Sequence, residues 1–244
     1  MTEPTPYAKQ NPDSIKALFN DIARNYERGN AILSFQTYRL WNRALIREIY
    51  SGSHPKTLLD LCCGTGDIAF PYLRSQKDPV TAYMLDFSSG MLACAKEKAR
   101  KMQLSRHEIH YLEADAQSIP LEDNLIDAAT AAYGIRNIKD PSQCFHETLR
   151  VLKPGGRFGI LELTRPENSF LRLGHHLYLR TALPILGKIA TSNKKAYEYL
   201  CNSIHEFVSP DRVADSLITT GFSQVSINPL FGGIATLILA EKKL

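Results

Sequence analysis

No uninterrupted apolar run in the 244-residue chain approaches the roughly 20 residues that cross a bilayer. The first six residues, Met1 to Pro6, are polar and carry no apolar signal core. A chain with neither feature is expected in the cytoplasm. Long Lys/Arg runs, zinc-finger spacings and the aromatic strand of RNA-binding domains are also missing. The formal charge is only +4, so nucleic acid is not an expected partner. The five cysteines, at positions 62, 63, 94, 144 and 201, are odd in number and scattered. With no partner at ligand spacing, they read as small buried hydrophobes in a reducing compartment, Cys62 in a strand and Cys63 at its exit. The histidines form no ligand cluster, and no metal is expected. There is no internal repeat or low-complexity tract.

What is present is a globular composition, 44% hydrophobic and 22% charged, in a length that suits one domain. After Asp13 or Ser14, the residues Ile15, Leu18, Phe19, Ile22 and Tyr26 recur at helical spacing. A second helical stretch is expected over 34–50, with a break at Arg28-Gly29-Asn30. The pattern then changes to short apolar strands alternating with helices. Strands are expected at 57–61, 80–85, 109–113, 126–132 and 157–163, with a helix over 141–152 stopped by Lys153-Pro154-Gly155-Gly156. This order predicts an α/β sandwich around a mostly parallel sheet. Residues 167–208 interrupt the rhythm with helical, aromatic-rich sequence. Ser209 and Pro210 then open a helix that Gly221 ends. Strands at 224–228 and 234–241 are joined too closely for a crossover helix, so they are expected to pair antiparallel. The chain is expected to be one domain over 1–244, with a helical cover at 13–50 and a helical lid at 167–208.

The stretch from Leu58 to Asp67 predicts a buried strand, a glycine turn and a helix start. In Asp60-x-x-x-Gly64-x-Gly66 the glycines permit a tight turn that presents backbone N–H groups to a ligand. Gly64-x-Gly66-x-x-Ala69 by itself leaves nicotinamide and S-adenosyl ligands both open. Asp67 sits where a pyrophosphate would meet the positive helix end, and it suits an ammonium group instead. Asp86, at the end of the second strand, is placed to accept ribose hydroxyls. Asp115, after the third strand, is placed to accept the exocyclic amine of adenine. Carboxylates after three successive strands suit a donor-rich, partly cationic ligand, and the cofactor indicated is S-adenosyl-L-methionine.

Several further blocks carry a resemblance. They are Phe19 to Glu27, Asn30 to Phe35, Trp41-Asn42-Arg43, Ala114-Asp115-Ala116-x-x-x-Pro120, Tyr133-Gly134-Ile135-Arg136-Asn137, Leu149 to Arg157, Ala196-Tyr197-x-Tyr199-Leu200 with Ser203-Ile204, and Gly221-Phe222. With the Asp60–Asp67 run, they make the chain similar to the Class I S-adenosylmethionine-dependent methyltransferases. Within these it resembles the quinone-biosynthesis C-methyltransferases, which act on demethylmenaquinol and on the methoxy-benzoquinol precursor of ubiquinone. The resemblance covers nearly the whole chain. It implies a Rossmann-like, seven-stranded, mostly parallel sheet with an antiparallel C-terminal strand. It implies that Thr65, Asp86, Asp115 and Ala116 contact the cofactor, and that Arg136 and Asn137 lie beside the quinol.

The implied reaction adds a methyl group to a ring carbon of a polyprenyl naphthoquinol, with Arg136 facing the developing oxyanion and Asn137 orienting a hydroxyl or water. Candidate bases are Tyr26, Glu27, Asp86 and His205. Two departures from the family pattern stand out. Ala132 replaces a small hydroxyl residue, and Gly233-Ile234-Ala235-Thr236-Leu237-Ile238 lacks the histidine of the usual Ala-x-His segment. The apolar, arginine-bearing stretch 170–190 is expected to pack over the pocket as two short helices separated at Pro184, and the expectation extends to peripheral membrane contact and a homodimer.

Overall fold

The computed structural model describes residues 12–50, 54–166, 168–178, 181, 199–200, 202–204 and 207–244. Helix α1 spans Pro12–Ile22, followed by a 3-10 turn at Ala23–Asn25, α2 at Tyr26–Leu33 and α3 at Tyr38–Tyr50. The expected break at Arg28-Gly29-Asn30 is a correction: those residues lie inside α2. The chain turns instead at Ala23–Asn25 and after Leu33, where Phe35 and Gln36 take left-handed backbone angles. Gly29 is buried within the helix.

The strands are β1 (Thr57–Leu61), β2 (Thr81–Asp86), β3 (Glu108–Glu113), β4 (Ile126–Ala132), β5 (Leu152–Leu163), β6 (Phe222–Leu230) and β7 (Ala235–Lys242). They form one sheet in the order β3-β2-β1-β4-β5-β7-β6. β1 to β5 pair in parallel, while β7 runs antiparallel to both β5 and β6. The remaining helices are α4 (Ala69–Ser75), α5 (Ser89–Lys101), α6 (Pro141–Val151), α7 (Ser169–Leu177) and α8 (Pro210–Thr220). Ser209 caps α8 by accepting the Arg212 N–H, with Pro210 in its first turn and Gly221 in the left-handed C-cap position. Two further details differ from the sequence-based expectations. Lys153–Gly156 form a bulge within β5 opposite Asp127, and Cys62 lies just past β1 with φ 51°.

Both sheet faces are covered. On one, Leu45 and Ile49 of α3, Phe70 and Leu73 of α4, and Leu92 and Ala95 of α5 pack on Leu58, Ala82, Met84 and Leu161. On the other, Phe145 of α6 and Val213 and Leu217 of α8 pack on Leu59, Leu61, Ala129, Phe158 and Ile160. Burial on both sides explains why β1 and β4 read as nearly continuous apolar runs. It also divides the expected N-terminal cover: α3 is a core helix on β5, and only α1 and α2 lie over the strand ends. α1 is anchored by a small cluster of Ile15, Leu18 and Tyr199.

The strand order reverses between β1 and β4. In such a sheet the loops leaving those two strands part in opposite directions and open a crevice at their carboxyl ends. Cys62–Asp67 and Tyr133–Asn137 are those loops. Among the described residues no helix is long and apolar enough to cross a membrane. Pro184, Arg180, Lys188 and Tyr197 of the expected lid lie outside the described residues.

Candidate active site

The glycine turn is set by its neighbours. Gly66 has φ 84°, and a side chain there would place Cβ 2.3 Å from the Phe70 ring, so only glycine fits. Gly64, at φ 53°, has nothing closer to its missing Cβ than the Tyr26 ring, 4.0 Å away. Its N–H donates to Asp86 Oδ2 at 2.8 Å, while the Ser88 N–H donates to Asp86 Oδ1 at 2.9 Å. Asp86 is thereby aimed across the crevice from the end of β2. Burial pushes its pKa up to about 6, against the two backbone donors that favour its charge.

Gly64, Asp86, Asp115, Ala116, Tyr26 and Asn137 line one cleft. Asp115 accepts the backbone and side-chain N–H groups of Gln117, at 2.9 Å to the backbone, which fixes its carboxylate at the rim. Ala132 also lines the cleft and offers no hydroxyl. Asp60, Thr65, Gly66 and Asp67 support this cleft from outside its lining. Asp60 is buried beneath the turn and accepts the Thr130 hydroxyl at 2.8 Å, which in turn receives the Tyr50 hydroxyl at 3.1 Å. Burial raises the Asp60 pKa to about 7. The Thr65 hydroxyl is buried and has no protein partner among the described residues.

Asp67 differs most from expectation. Its carboxylate is paired with Lys98 of α5, which also binds Glu27 of α2 at 2.8 Å. Burial alone would lower the Lys98 pKa, but the two carboxylates hold it above the usual value. The cation facing Asp67 is therefore supplied by the chain.

The cleft fits S-adenosylmethionine on its own donor set. It has an ionisable carboxylate at the end of β2, a second at the rim after β3, a turn open beside Gly64, and an orphaned Thr65 hydroxyl next to that turn. Asp86, Asp115, Ala116 and the Gly64 backbone are the groups that would hold it.

A second, larger cavity of about 540 Å³ adjoins the cleft. Phe19, Tyr26 and Tyr133 line both, so the two spaces share a wall of aromatic rings. The larger cavity is lined mostly by apolar side chains, including Leu33, Trp41 and Ile234, and among the described residues Arg136 is its one charged lining group. Ile234, just before β7, lines this cavity. Thr236 is buried against the Thr164 hydroxyl, 2.8 Å away.

Arg136 is buried and ion-paired, a partnership that the oxyanion reading did not supply. Its Nη1 donates to Glu162 Oε2 at 2.7 Å and to the Tyr133 carbonyl, and its Nε donates to Ser203 Oγ at 3.3 Å. Glu162 also accepts the Arg136 backbone N–H at 3.1 Å. Burial opposes the Arg136 charge most strongly, and Glu162 together with Tyr26 and Tyr199 outweighs it, holding the guanidinium above its usual pKa. Asn137 accepts the Tyr199 hydroxyl at 2.8 Å and faces the smaller cleft. Tyr26 stays a phenol: burial raises its pKa, and Asn30 accepts from or donates to its hydroxyl. Glu27 is engaged by Lys98, and His205 lies outside the described residues.

Glu162 and Lys98 were missed in the sequence. Glu162 had one signal, an acid in an otherwise apolar β5 segment, Ile160-Leu161-Glu162-Leu163; such a residue must find a cation when buried. Lys98 had none, being one of several basic residues near the end of α5.

The chain matches the family described as the ubiE/COQ5 methyltransferase family over residues 7–242. It is 51% identical over 236 residues to a demethylmenaquinone methyltransferase of Protochlamydia amoebophila, covering 97% of this chain and 98% of that protein. It is 37% identical over 230 residues to a ubiquinone/menaquinone biosynthesis C-methyltransferase of Bartonella tribocorum, covering 93% and 88%. Among solved structures, a SAM-dependent methyltransferase of Thermotoga maritima superposes with a TM-score of 0.63 at 18% identity, over 93% of this chain and 99% of that one. A Haemonchus contortus phosphoethanolamine N-methyltransferase with bound S-adenosyl-L-methionine gives 0.61 at 17%, over 83% and 52%. The structural neighbours share the sheet and its crevice; the sequence relatives share the full length. On that full-length match, the chain belongs to the ubiE/COQ5 methyltransferase family.

Proposed function

We propose that this enzyme methylates a ring carbon of demethylmenaquinol, with S-adenosylmethionine as donor. The observation that carries the reading is the wall of Phe19, Tyr26 and Tyr133 between a carboxylate-lined cleft and a large apolar cavity. A polar, donor-rich ligand in the cleft and an apolar ring in the cavity would come into contact where these three residues line both spaces. The Protochlamydia relative's name favours the naphthoquinol. The Bartonella relative's name favours a second reading, in which the benzoquinol precursor of ubiquinone is accepted as well.

When bound, S-adenosylmethionine supplies an electrophilic methyl group on a sulfonium. The chain's part is to hold and orient. Asp86 would accept ribose hydroxyls, Asp115 the adenine amine, and the Gly64 backbone the remainder of the donor. An aromatic ring carbon becomes nucleophilic when a neighbouring hydroxyl gives its proton to water; the ring proton displaced by the methyl group then restores the hydroxyl, so one proton leaves in net. Arg136 would stabilise that oxygen as charge develops. Glu162 balances the Arg136 charge before the substrate arrives, which suits a neutral quinol. Tyr26, kept protonated by burial, would act as a hydrogen-bond donor at the shared wall, not as the base. Asn137, fixed by Tyr199, would orient a hydroxyl or water there.

The test uses labelled S-adenosylmethionine with reduced short-tail naphthoquinol and benzoquinol. Label is expected on the naphthoquinol ring. Transfer to neither, with donor binding intact, would sink the assignment. Asp86→Ala is expected to weaken donor binding by about 10- to 100-fold, the worth of a charged hydrogen bond. Arg136→Lys keeps the charge opposite Glu162 but loses the fork. It is expected to lower kcat by about 10- to 100-fold with donor affinity nearly unchanged. Equal loss of donor affinity in both variants would contradict the division of roles.

A further inference from the structure

Asp115 is exposed, yet a chain of hydrogen bonds ties it to a helix of the core. That helix is α6, which buries Cys144, Phe145 and Val151 against the sheet. Asp140 caps α6 by accepting the Ser142 and Gln143 N–H groups. The Asp140 N–H donates to Gln117 Oε1 at 3.0 Å, and the Gln143 side chain donates to the Gln117 carbonyl at 3.4 Å. With its amide oxygen engaged there, Gln117 turns its amide nitrogen the other way. Nε2 donates to Asp115 Oδ1 at 3.0 Å and to Oδ2 at 2.9 Å.

A carboxylate oxygen has two lone pairs to offer. Oδ1 accepts from Gln117 Nε2 and from the Gln117 backbone N–H, whereas Oδ2 accepts from Nε2 alone. Among the described residues, one acceptor direction of Asp115 is therefore left open, and it is on Oδ2. Both Asp115 and Gln117 line the cleft. An exposed carboxylate would ordinarily turn among several rotamers, and this one is held at both oxygens.

We propose that Gln117 is a positioning residue that sets the purine specificity of the cleft, holding Asp115 so that its open direction receives a 6-amino group and rejects a 6-oxo group. This rests on the reading of Asp115 as the partner of the adenine amine. An amino group donates to the open lone pair. A 6-oxo group sets a second acceptor against it, and a carboxylate tied at both oxygens does not swing aside. Released from Gln117, the same carboxylate would lose rotamer freedom on meeting the amine and would turn away from the oxo group. Gln117 thus acts on the difference between two ligands, both by favouring one and by opposing the other.

The test is calorimetric binding of S-adenosylhomocysteine and of its 6-oxo analogue, S-inosylhomocysteine, to the full chain without quinol. The parent is expected to prefer the adenine ligand by about 30-fold or more, the worth of a hydrogen bond to a charged group. In Asp115→Ala that preference is expected to fall below about threefold. Gln117→Met keeps the length of the side chain and removes its hydrogen bonds. It is expected to bind the adenine ligand about 3- to 10-fold more weakly, and the 6-oxo ligand at least as well as the parent does. Retained 6-oxo binding also reports that the cleft of the variant is folded. Gln117→Glu keeps an acceptor for Asp140 but sets a second carboxylate against Asp115, and is expected to narrow the preference at least as far. Equal weakening of both ligands in the Gln117 variants, or an unchanged preference in them, would overturn the proposal while leaving Asp115 as the adenine partner. A parent without preference, or Asp115→Ala with the parent's preference, would remove that reading of Asp115 and the proposal with it.

Discussion

Asp86 joins fold and chemistry in one side chain. Its two oxygens fix the Gly64 and Ser88 N–H groups, and burial raises its pKa to about 6 from an ordinary 3.8. The sign follows directly. Below about pH 4 the group is neutral folded or unfolded. Between there and 6 the unfolded chain ionises while the folded one keeps its proton, and the stability this group contributes is lost as pH rises through 6. On the proposed role of Asp86, ligand binding has the opposite sign, because ribose hydroxyls would donate best to the ionised carboxylate. Donor affinity measured by calorimetry should therefore fall as pH drops through 6, and in Asp86→Asn it should be weak and flat across the same range. An unchanged profile in Asp86→Asn would assign the titration elsewhere. The position of Asp86 at a strand end was legible in the sequence. Its raised pKa was not, because the burial that causes it exists only in the folded chain. Arg136 teaches the same lesson: its sequence block named it, but only folding placed Glu162, 26 residues away, at 2.7 Å.

At the scale of elements, the β1–α4 turn carries the most constraint in the fewest residues. Gly66 needs a left-handed φ of 84° and touches Phe70, so Gly66→Ala combines backbone strain with a clash. A destabilisation of about 2 kcal/mol or more is expected, from the left-handed penalty plus overpacking, read as a lowered midpoint in urea. Loss of donor binding without any change in stability would show that the turn tolerates a side chain. Strand periodicity located β1 and β4 to the residue, because a strand buried on both faces leaves a short apolar run with sharp ends. Helix boundaries near the N-terminus were harder. Arg28-Gly29-Asn30 looks like a breaker locally, yet Gly29 is buried within α2.

For the whole molecule, the two apolar layers of the sheet form a large core, whereas among the described residues α1 is held by a small cluster of Ile15, Leu18 and Tyr199 with Phe19, Ile22 and Phe87 packed against it. Polar ties join this cover to the strand ends: Asn20 accepts from Ser88 at 2.7 Å and from the Gly90 N–H at 2.9 Å, Lys16 pairs with Glu113 at 2.7 Å, and Glu27 reaches Lys98. A weakly anchored unit wrapped around a ligand cleft opens locally before the core does. Adding S-adenosylhomocysteine should slow amide exchange in 12–33 together with 62–67. At about 100 times its Kd it should add about 2.7 kcal/mol to stability. Protection confined to 62–67 would mean that the cover does not respond to the cofactor. The amino-acid order by itself determined the alternation of strands and helices, the antiparallel close and the carboxylates at strand ends, since each follows from local periodicity and turn chemistry. Tertiary structure alone decided which charges meet: Lys98 with Asp67 and Glu27, Glu162 with Arg136. It also decided that Phe19, Tyr26 and Tyr133 become one wall between two cavities. Those relations join residues distant in the chain, and only the packing of helices on the strand ends brings them within contact distance.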